Sequence, residues 1–241
     1  MAAAVRGIPN MKEHEGERVS RHLRATGVRD VLEIGTAHGV SAAYMAAALP
    51  EGGRVTSVDS TTAARARTPS AEEVLTRVGV RDKVDLVLVD DSSYTWWLKE
   101  QVERRSDAAG NVEPLYDFCY LDGAHNWTID GLAVVLMEKL LRPGGWLLLD
   151  DLGWTYDGGS HGPDQGPDDL RLSPAERRTP HVRAVFDVIV RPHPAFPECR
   201  EEDGWWGWAH KDPSAPRRYE VRTVVPLQDR LARLVRGRTG R

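Results

Sequence analysis

Short apolar runs alternate with amphipathic, charge-bearing segments along most of the chain, the pattern of a mostly parallel sheet covered by helices. Residues 11–26, charged with scattered apolar positions, predict an outer helix, and residues 31–34 (Val-Leu-Glu-Ile) a first strand. The Ala-rich residues 41–49 predict a helix stopped by Pro50-Glu51-Gly52-Gly53, followed by a strand over 54–58 that ends on Asp59. Residues 70–78 predict a helix with Ser70 as N-cap and Glu73 three residues later, the spacing of a capping box. A third strand is predicted over 84–89, a helix over 94–105, a fourth strand over 116–121, a helix over 132–141 closed by Pro143-Gly144-Gly145, and a fifth strand over 146–149. Further on, residues 181–190 predict a helix, and 198–202 with 205–210 predict a strand pair turning on Asp203-Gly204. A strand over 218–225 and a terminal amphipathic helix over 227–236 complete the pattern. The fold class expected is α/β, a doubly wound, mostly parallel seven-stranded sheet with helices on both faces.

Each of the first five strands carries an acidic residue at or next to its C-terminal end: Glu33, Asp59, Asp90-Asp91, Asp122 and Asp150-Asp151. Ligands of open parallel sheets bind along that edge, so the row predicts a polar site there. No internal repeat or second domain is visible. Residues 1–241 read as one domain, with an N-terminal helical cap over 1–28, an insertion over 153–180 and a C-terminal extension over 212–241. The insertion is rich in Gly, Pro and Asp and long for a structureless connection, which suits either a functional lid or a partly disordered segment.

A length of 241 residues suffices for one α/β domain with a proper core, and 41% hydrophobic with 28% charged residues is an ordinary globular composition. The formal charge of -4 argues against a scaffold that neutralises many nucleic-acid phosphates. The tail 217–241, with eight Arg against Glu220 and Asp229, reads instead as a solvated face of a terminal helix. Cys119 and Cys199 form no metal or disulfide motif, and Cys119 reads as a small core residue. No apolar run reaches the length of a membrane span, and the apolar start is too short for a signal peptide, so a cytoplasmic protein is expected. Whether it forms homo-oligomers is left open.

Residues 31–41, Val-Leu-Glu-Ile-Gly-Thr-Ala-His-Gly-Val-Ser, pass from a strand through a glycine loop into a helix. The glycines allow a sharp bend and close ligand approach, and the helix start presents free N–H groups. A pyrophosphate-binding loop has the pattern G-x-G-x-x-G; this loop is G-x-x-x-G with Glu33 beside it, which suits a cationic ligand better. The loop resembles the first motif of class I S-adenosylmethionine-dependent methyltransferases, Rossmann-like α/β enzymes, in the version found in small-molecule O-methyltransferases. The resemblance runs over residues 31–153. It implies S-adenosylmethionine as cofactor, bound by Glu33, Gly35, Thr36, Gly39, Ser41 and Asp122. Asp59 matches the acid on the ribose hydroxyls, and Asp91-Ser92 the pair near the adenine amino group.

Asp122 and His125 stand three apart across a turn, with Asp150-Asp151 at the neighbouring strand end. Converging carboxylates repel one another unless a cation joins them, and hard oxygen donors with no thiol nearby favour Mg²⁺. This part is similar to metal-dependent O-methyltransferases, both the catechol type and the sugar-modifying type of antibiotic biosynthesis. The resemblance implies metal ligands Asp122, Asp150 and Asp151, with His125 as the catalytic base. The catechol type has Lys where this chain has His125, which points to a sugar or other aliphatic hydroxyl of a natural-product intermediate as acceptor. Trp127, Trp154 and Tyr156 are candidates to stack on it. The alternatives are a catechol or phenol O-methyltransferase, or an S-adenosylmethionine-binding protein with a non-methylating or macromolecular function.

Overall fold

The computed structural model of the chain describes residues 2–89, 93–158, 172–214 and 220. Its elements are α1 (Ala2–Val5), α2 (Glu13–Thr26), β1 (Asp30–Ile34), α3 (Val40–Ala48), β2 (Arg54–Ser60), α4 (Thr61–Arg65), α5 (Ala71–Val78) and β3 (Val84–Val89). They continue with α6 (Tyr94–Arg104), β4 (Tyr116–Leu121), α7 (Trp127–Leu140), β5 (Leu141–Leu149), α8 (Pro174–Arg178), α9 (His181–Val185), β6 (Glu198–Glu202) and β7 (Trp206–His210). The strand and helix proposed for 218–225 and 227–236 lie, apart from Glu220, outside the described residues. No helix among the described residues is long and apolar enough to cross a membrane.

The seven strands form one sheet in the order β3-β2-β1-β4-β5-β7-β6. The first five are parallel and β7 runs antiparallel between β5 and β6. Central parallel strands are buried on both faces and read as continuous apolar runs; Val31, Leu32, Ile34, Phe118, Cys119 and Leu147–Leu149 fit this, all buried. One core joins the sheet to α2, α3 and α5 through Val19, Leu23, Met45 and Leu75. The other joins its opposite face to α6, α7 and α9 through Leu98, Met137 and Val185. Chain order reverses between β1 and β4, which opens a crevice at their carboxyl ends.

Local chemistry sets most element ends. Ser70 Oγ accepts from Glu73 N at 3.3 Å and Glu73 returns a bond to Ser70 N at 2.8 Å, closing the expected capping box. The β6–β7 turn holds Asp203 and Gly204 at φ 56° and 72°, both left-handed, which suits the right-handed twist of the paired strands. Among the elements that differ from the expectation, β5 starts at Leu141, five residues before the expected start, and takes in Pro143-Gly144-Gly145, where its register with β4 shifts. Helix α7 starts at Trp127, five residues before the expected start, because Asn126 Oδ1 caps the amides of Thr128 and Ile129 at 2.9 and 3.2 Å. The segment expected as one helix over 181–190 is α-helical only to Val185, and a π-helical turn carries it from Phe186 to Val190.

One core position is strained in polarity. The His22 ring on α2 sits among Phe118, Trp146 and Trp208, with ring centroids 5.9, 5.0 and 4.6 Å away. Its Nε2 is shielded and has no hydrogen-bond partner. Burial, then Arg200 and His210, depress its pKa from 6.5 to about 4. The native state therefore resists a proton that the unfolded chain takes up, and stability falls as pH drops from about 6.5 towards 4. His22→Phe is expected to raise the melting temperature, by a margin that widens over that pH window in thermal scans. An equal margin at pH 8 and pH 5 would show that the ring is not the acid-sensitive element.

Candidate active site

Strand register lines up the site. Ile34 is opposite both Val58 and Leu121, and Leu121 is opposite Leu149. The residues that follow them, Gly35, Asp59, Asp122 and Asp150, therefore emerge side by side at the sheet edge. Gly35 adopts φ 94°, and a Cβ there would lie 1.8 Å from the Asp122 carbonyl oxygen. Only glycine lets the two strand ends approach so closely. Asp59 Oδ2 accepts from Ala37 N at 2.8 Å and holds the loop against β2.

The remaining loop residues work from beneath. Glu33 is fully buried and accepts from the hydroxyls of Ser41 and Ser57, while Thr36 and Ser57 share a hydrogen bond of 2.6 Å. Burial raises the Glu33 pKa to about 8 against the pull of the two serines, with Asp122 and Asp59 adding repulsion. Gly39 packs against Ala71, and His38 Nδ1 bonds the Pro69 carbonyl at 2.6 Å, which makes it a satisfied loop histidine. Glu33, Thr36 and Ser41 thus brace the loop from below. Asp91 and Ser92 lie outside the described residues.

At the next two strand ends the charges converge. His125 Nε2 lies 2.9 Å from Asp151 Oδ2 and 3.3 Å from Asp122 Oδ1, close ionic contacts without the alignment of a directed hydrogen bond. Asp122, His125 and Asp151 each offer a ligand atom, all within 4.8 Å of one another. Burial opposes a charge on His125, but the two carboxylates outweigh it and lift its pKa to about 10. Burial also raises the Asp122 pKa, and His125 pulls it back. Asp150 stands behind them. Its Oδ1 accepts from Trp206 Nε1 and from Asp151 N, both at 2.7 Å, and its Oδ2 accepts from the Tyr120 hydroxyl. Burial, Asp122 and Asp151 raise its pKa to about 8. His125 and Asp151 both have left-handed backbones, φ 52° and 58°. Such strain persists only where the surroundings impose it, and it concentrates at functional sites.

Those surroundings are a polar network. Asp130, buried on α7, accepts from the Tyr94 hydroxyl and from Asn126 N at 2.8 Å, and Tyr94 in turn accepts from Ala124 N at 3.1 Å. The turn carrying His125 is thereby pinned on both sides. His181 Nδ1 accepts from Trp127 N at 3.1 Å, so its Nε2 carries the proton and donates to the Glu176 carbonyl at 2.9 Å. This ties α8 and α9 to the start of α7.

A cavity of about 1040 Å³ joins these parts. Gly35, Asp59, Asp122, His125, Asp150 and Asp151 line it along the sheet edge. Trp154, Tyr156 and Arg177 from the insertion, Trp205 from the β6–β7 turn and the N-terminal segment from Val5 to Lys12 supply further walls. The His125, Trp154 and Tyr156 rings follow one another at 4.8 Å spacings. Residues 159–171 of the insertion lie outside the described residues.

Residues 32–152, half of the chain and the part that builds this edge, match the family model described as a methyltransferase domain. The chain belongs to that family. The methyltransferase also shares its fold with solved structures of low identity. It superposes with a TM-score of 0.60 and 20% identity on an O-methyltransferase from Bacillus cereus in complex with S-adenosylhomocysteine, over 88% of this chain and 86% of that one. The TM-score is 0.59 and the identity 18% for TomG, the Streptomyces achromogenes O-methyltransferase of tomaymycin synthesis in complex with S-adenosylmethionine, over 88% and 87%. No curated protein sequence matches it as a relative.

Several residues that shape this methyltransferase site carry no local sequence signal. Tyr94, Asp130 and Tyr120 meet partners 30 or more positions away, and Trp206 reaches Asp150 across 56. In the Trp205-Trp206-Gly207-Trp208 run, Trp206 and Trp208 are buried in packing, whereas Trp205 is 48% exposed at the cavity. The one available hint was Asn126 four residues before Asp130, a cap paired with an acid in the first helical turn.

Proposed function

We propose that this methyltransferase transfers the methyl group of S-adenosylmethionine to a hydroxyl of a small molecule, a sugar or another natural-product intermediate, with Mg²⁺ as a metal cofactor. The observation that carries the reading is the single cavity joining the Gly35 loop to the Asp122–His125–Asp151 cluster. The two structural neighbours, both O-methyltransferases holding this cofactor or its product, support the donor.

The residues fit a divalent cation. Two carboxylates approach the same buried nitrogen, Nε2 of His125, a third stands behind, and that nitrogen has no directed hydrogen-bond partner. Asp122 and Asp151 would hold the ion, whereas Asp150, expected as a third ligand, has both oxygens engaged by Tyr120, Trp206 and the Asp151 amide and stands behind them. Bound S-adenosylmethionine would supply an electrophilic methyl, and the cation a Lewis acid that acidifies the acceptor hydroxyl. Gly35, Asp59 and Asp122 bind and orient the donor. With a cation taking up the Asp122 and Asp151 charges that otherwise keep the imidazole protonated, His125 Nε2 would be the proton acceptor for the hydroxyl, and Tyr94, Asp130 and Asn126 fix the turn that carries it. Trp154 and Trp205 present apolar ring faces on which a sugar or aryl ring can stack while water is excluded.

Incubation with S-adenosylmethionine labelled in the methyl group, against a panel of glycosides and catechols, tests this directly. Label is expected on a sugar-type hydroxyl, lost with EDTA and restored by Mg²⁺. Transfer indifferent to EDTA would sink the role of the cation. Preference for catechols would move the acceptor to the aromatic class, whose rings the same tryptophan faces accommodate.

A further inference from the structure

The outer side of α7 lacks the polarity that a surface helix normally shows. Its exposed residues are Trp127, Thr128, Leu132 and Val135, and no charged side chain is among them. Leu132 and Val135 are 50% and 41% exposed. The π-helical turn lies alongside, since a Cβ on Gly131 would meet Ile189 at 3.1 Å, and the adjacent Val188 is 62% exposed. Contiguous apolar surface of this kind marks a place that another element covers. Val135 also helps to wall a groove of about 830 Å³ beside the C-terminal half of α7. That groove lies where β4 begins and β7 ends, at the edge of the sheet opposite Asp122 and His125.

The chain itself supplies a segment that fits. Ser214, where the continuous described chain ends, stands in the wall of the same groove with Glu138 and Lys139 of α7. Residues 227–236 lie beyond it, outside the described residues. On the helix that their sequence predicts, Leu227, Leu231, Leu234 and Val235 share one side, and Arg230, Arg233 and Arg236 the other. Such a helix is about 15 Å long, against about 21 Å for α7. The stretch from Ser214 to Leu227 spans up to about 40 Å, enough to reach any part of the outer side of α7. Charge acts in the same sense. The tail 217–241 has eight Arg against Glu220 and Asp229, and because the whole chain is -4 the remainder is strongly acidic. A tethered segment also meets its site at an effective concentration of about millimolar, an advantage that a second copy in dilute solution does not have. We propose that residues 227–236 of the same chain cover Leu132 and Val135, with the leucine stripe against α7 and the arginines facing outward.

Amide hydrogen exchange of the full chain, followed by mass spectrometry, tests this. A helix this short is marginal in water by itself, so slow exchange over 227–236 requires a packed partner. Wild type is expected to exchange there roughly tenfold or more slowly than an unstructured chain. Leu132→Asp/Val135→Asp should return the segment to within about twofold of the unstructured rate, while exchange in β1, β4 and β5 stays as in wild type. Unprotected exchange in wild type, or protection that survives the double substitution, would overturn the assignment. Protection that grows with protein concentration, together with a dimer in sedimentation, would also overturn it and make a second copy the partner. Protection that arises only on vesicles containing anionic lipid would overturn it in favour of a membrane surface. Should the double variant not fold, as judged by circular dichroism, Leu132→Gln and Val135→Gln carry the same reading singly.

Discussion

Alanine at position 35 is expected to abolish measurable S-adenosylhomocysteine binding. The added Cβ would meet the Asp122 carbonyl oxygen at 1.8 Å and its carbon at 2.8 Å, both backbone atoms with no soft coordinate to yield. Position 35 is also left-handed, at φ 94°. That backbone costs roughly 1–2 kcal/mol for a residue with a Cβ, and overpacking adds about 1–3 kcal/mol. The loop can relieve the clash only by moving away from β4, and this separates the two walls that grip the donor. Gly35 N also donates to Val58 O at 2.9 Å, and Asp122 N to Ile34 O at 2.9 Å, so the displacement spreads to three strand ends. A domain stable by about 5–15 kcal/mol should survive the change with a lowered melting temperature. Calorimetry on the folded variant is the check. Wild-type affinity would show that the loop has another way to open and that the close approach is incidental.

Loss of divalent-cation binding is the second large effect expected, on replacing Asp122 or Asp151 by asparagine. Both carboxylates contact the same buried nitrogen of His125, and neither charge has another cation within reach among the described residues. Changing groups that merely support a ligand costs 10–100-fold in metal affinity. Removing a ligand's charge should therefore cost more than about a hundredfold in Kd for Mg²⁺, titrated into protein saturated with S-adenosylhomocysteine. His125→Ala should keep the cation while losing methyl transfer, as fits a proton acceptor. Should His125→Ala lose the cation as well, the imidazole would be a ligand, and the proton would need another destination. Unchanged affinity in Asp122→Asn would place the ion elsewhere or nowhere. Asp150 is a milder position in this comparison, because Tyr120, Trp206 and the Asp151 amide hold both of its oxygens.

Sequence by itself determined the features governed by neighbours a few positions apart. Strands β3 and β4 begin and end where their apolar runs do, and for the central β4 the reason is that an apolar run bounded by polar residues has one way to be buried in a parallel sheet. The Ser70–Glu73 cap and the Asp203-Gly204 turn were legible for the same reason, each being satisfied within a few residues. The row of acids at strand ends was visible as well, because strand length and the parallel pattern bring Asp59, Asp122 and Asp150 to one edge.

Tertiary structure decided which of those residues meet, and what each does. Sequence could not show that Glu33 lies beneath the loop under Ser41 and Ser57, since its burial depends on the closure of β1 against β2. Nor could it show that the indole of Trp206 secures Asp150, or that Tyr94 and Asp130 hold the His125 turn, because those contacts form only when distant elements pack. The left-handed backbones of His125 and Asp151 are likewise imposed from outside their own segments. Local patterns specify the elements because their energetics are local, whereas the site is a set of long-range contacts that no short window of sequence contains.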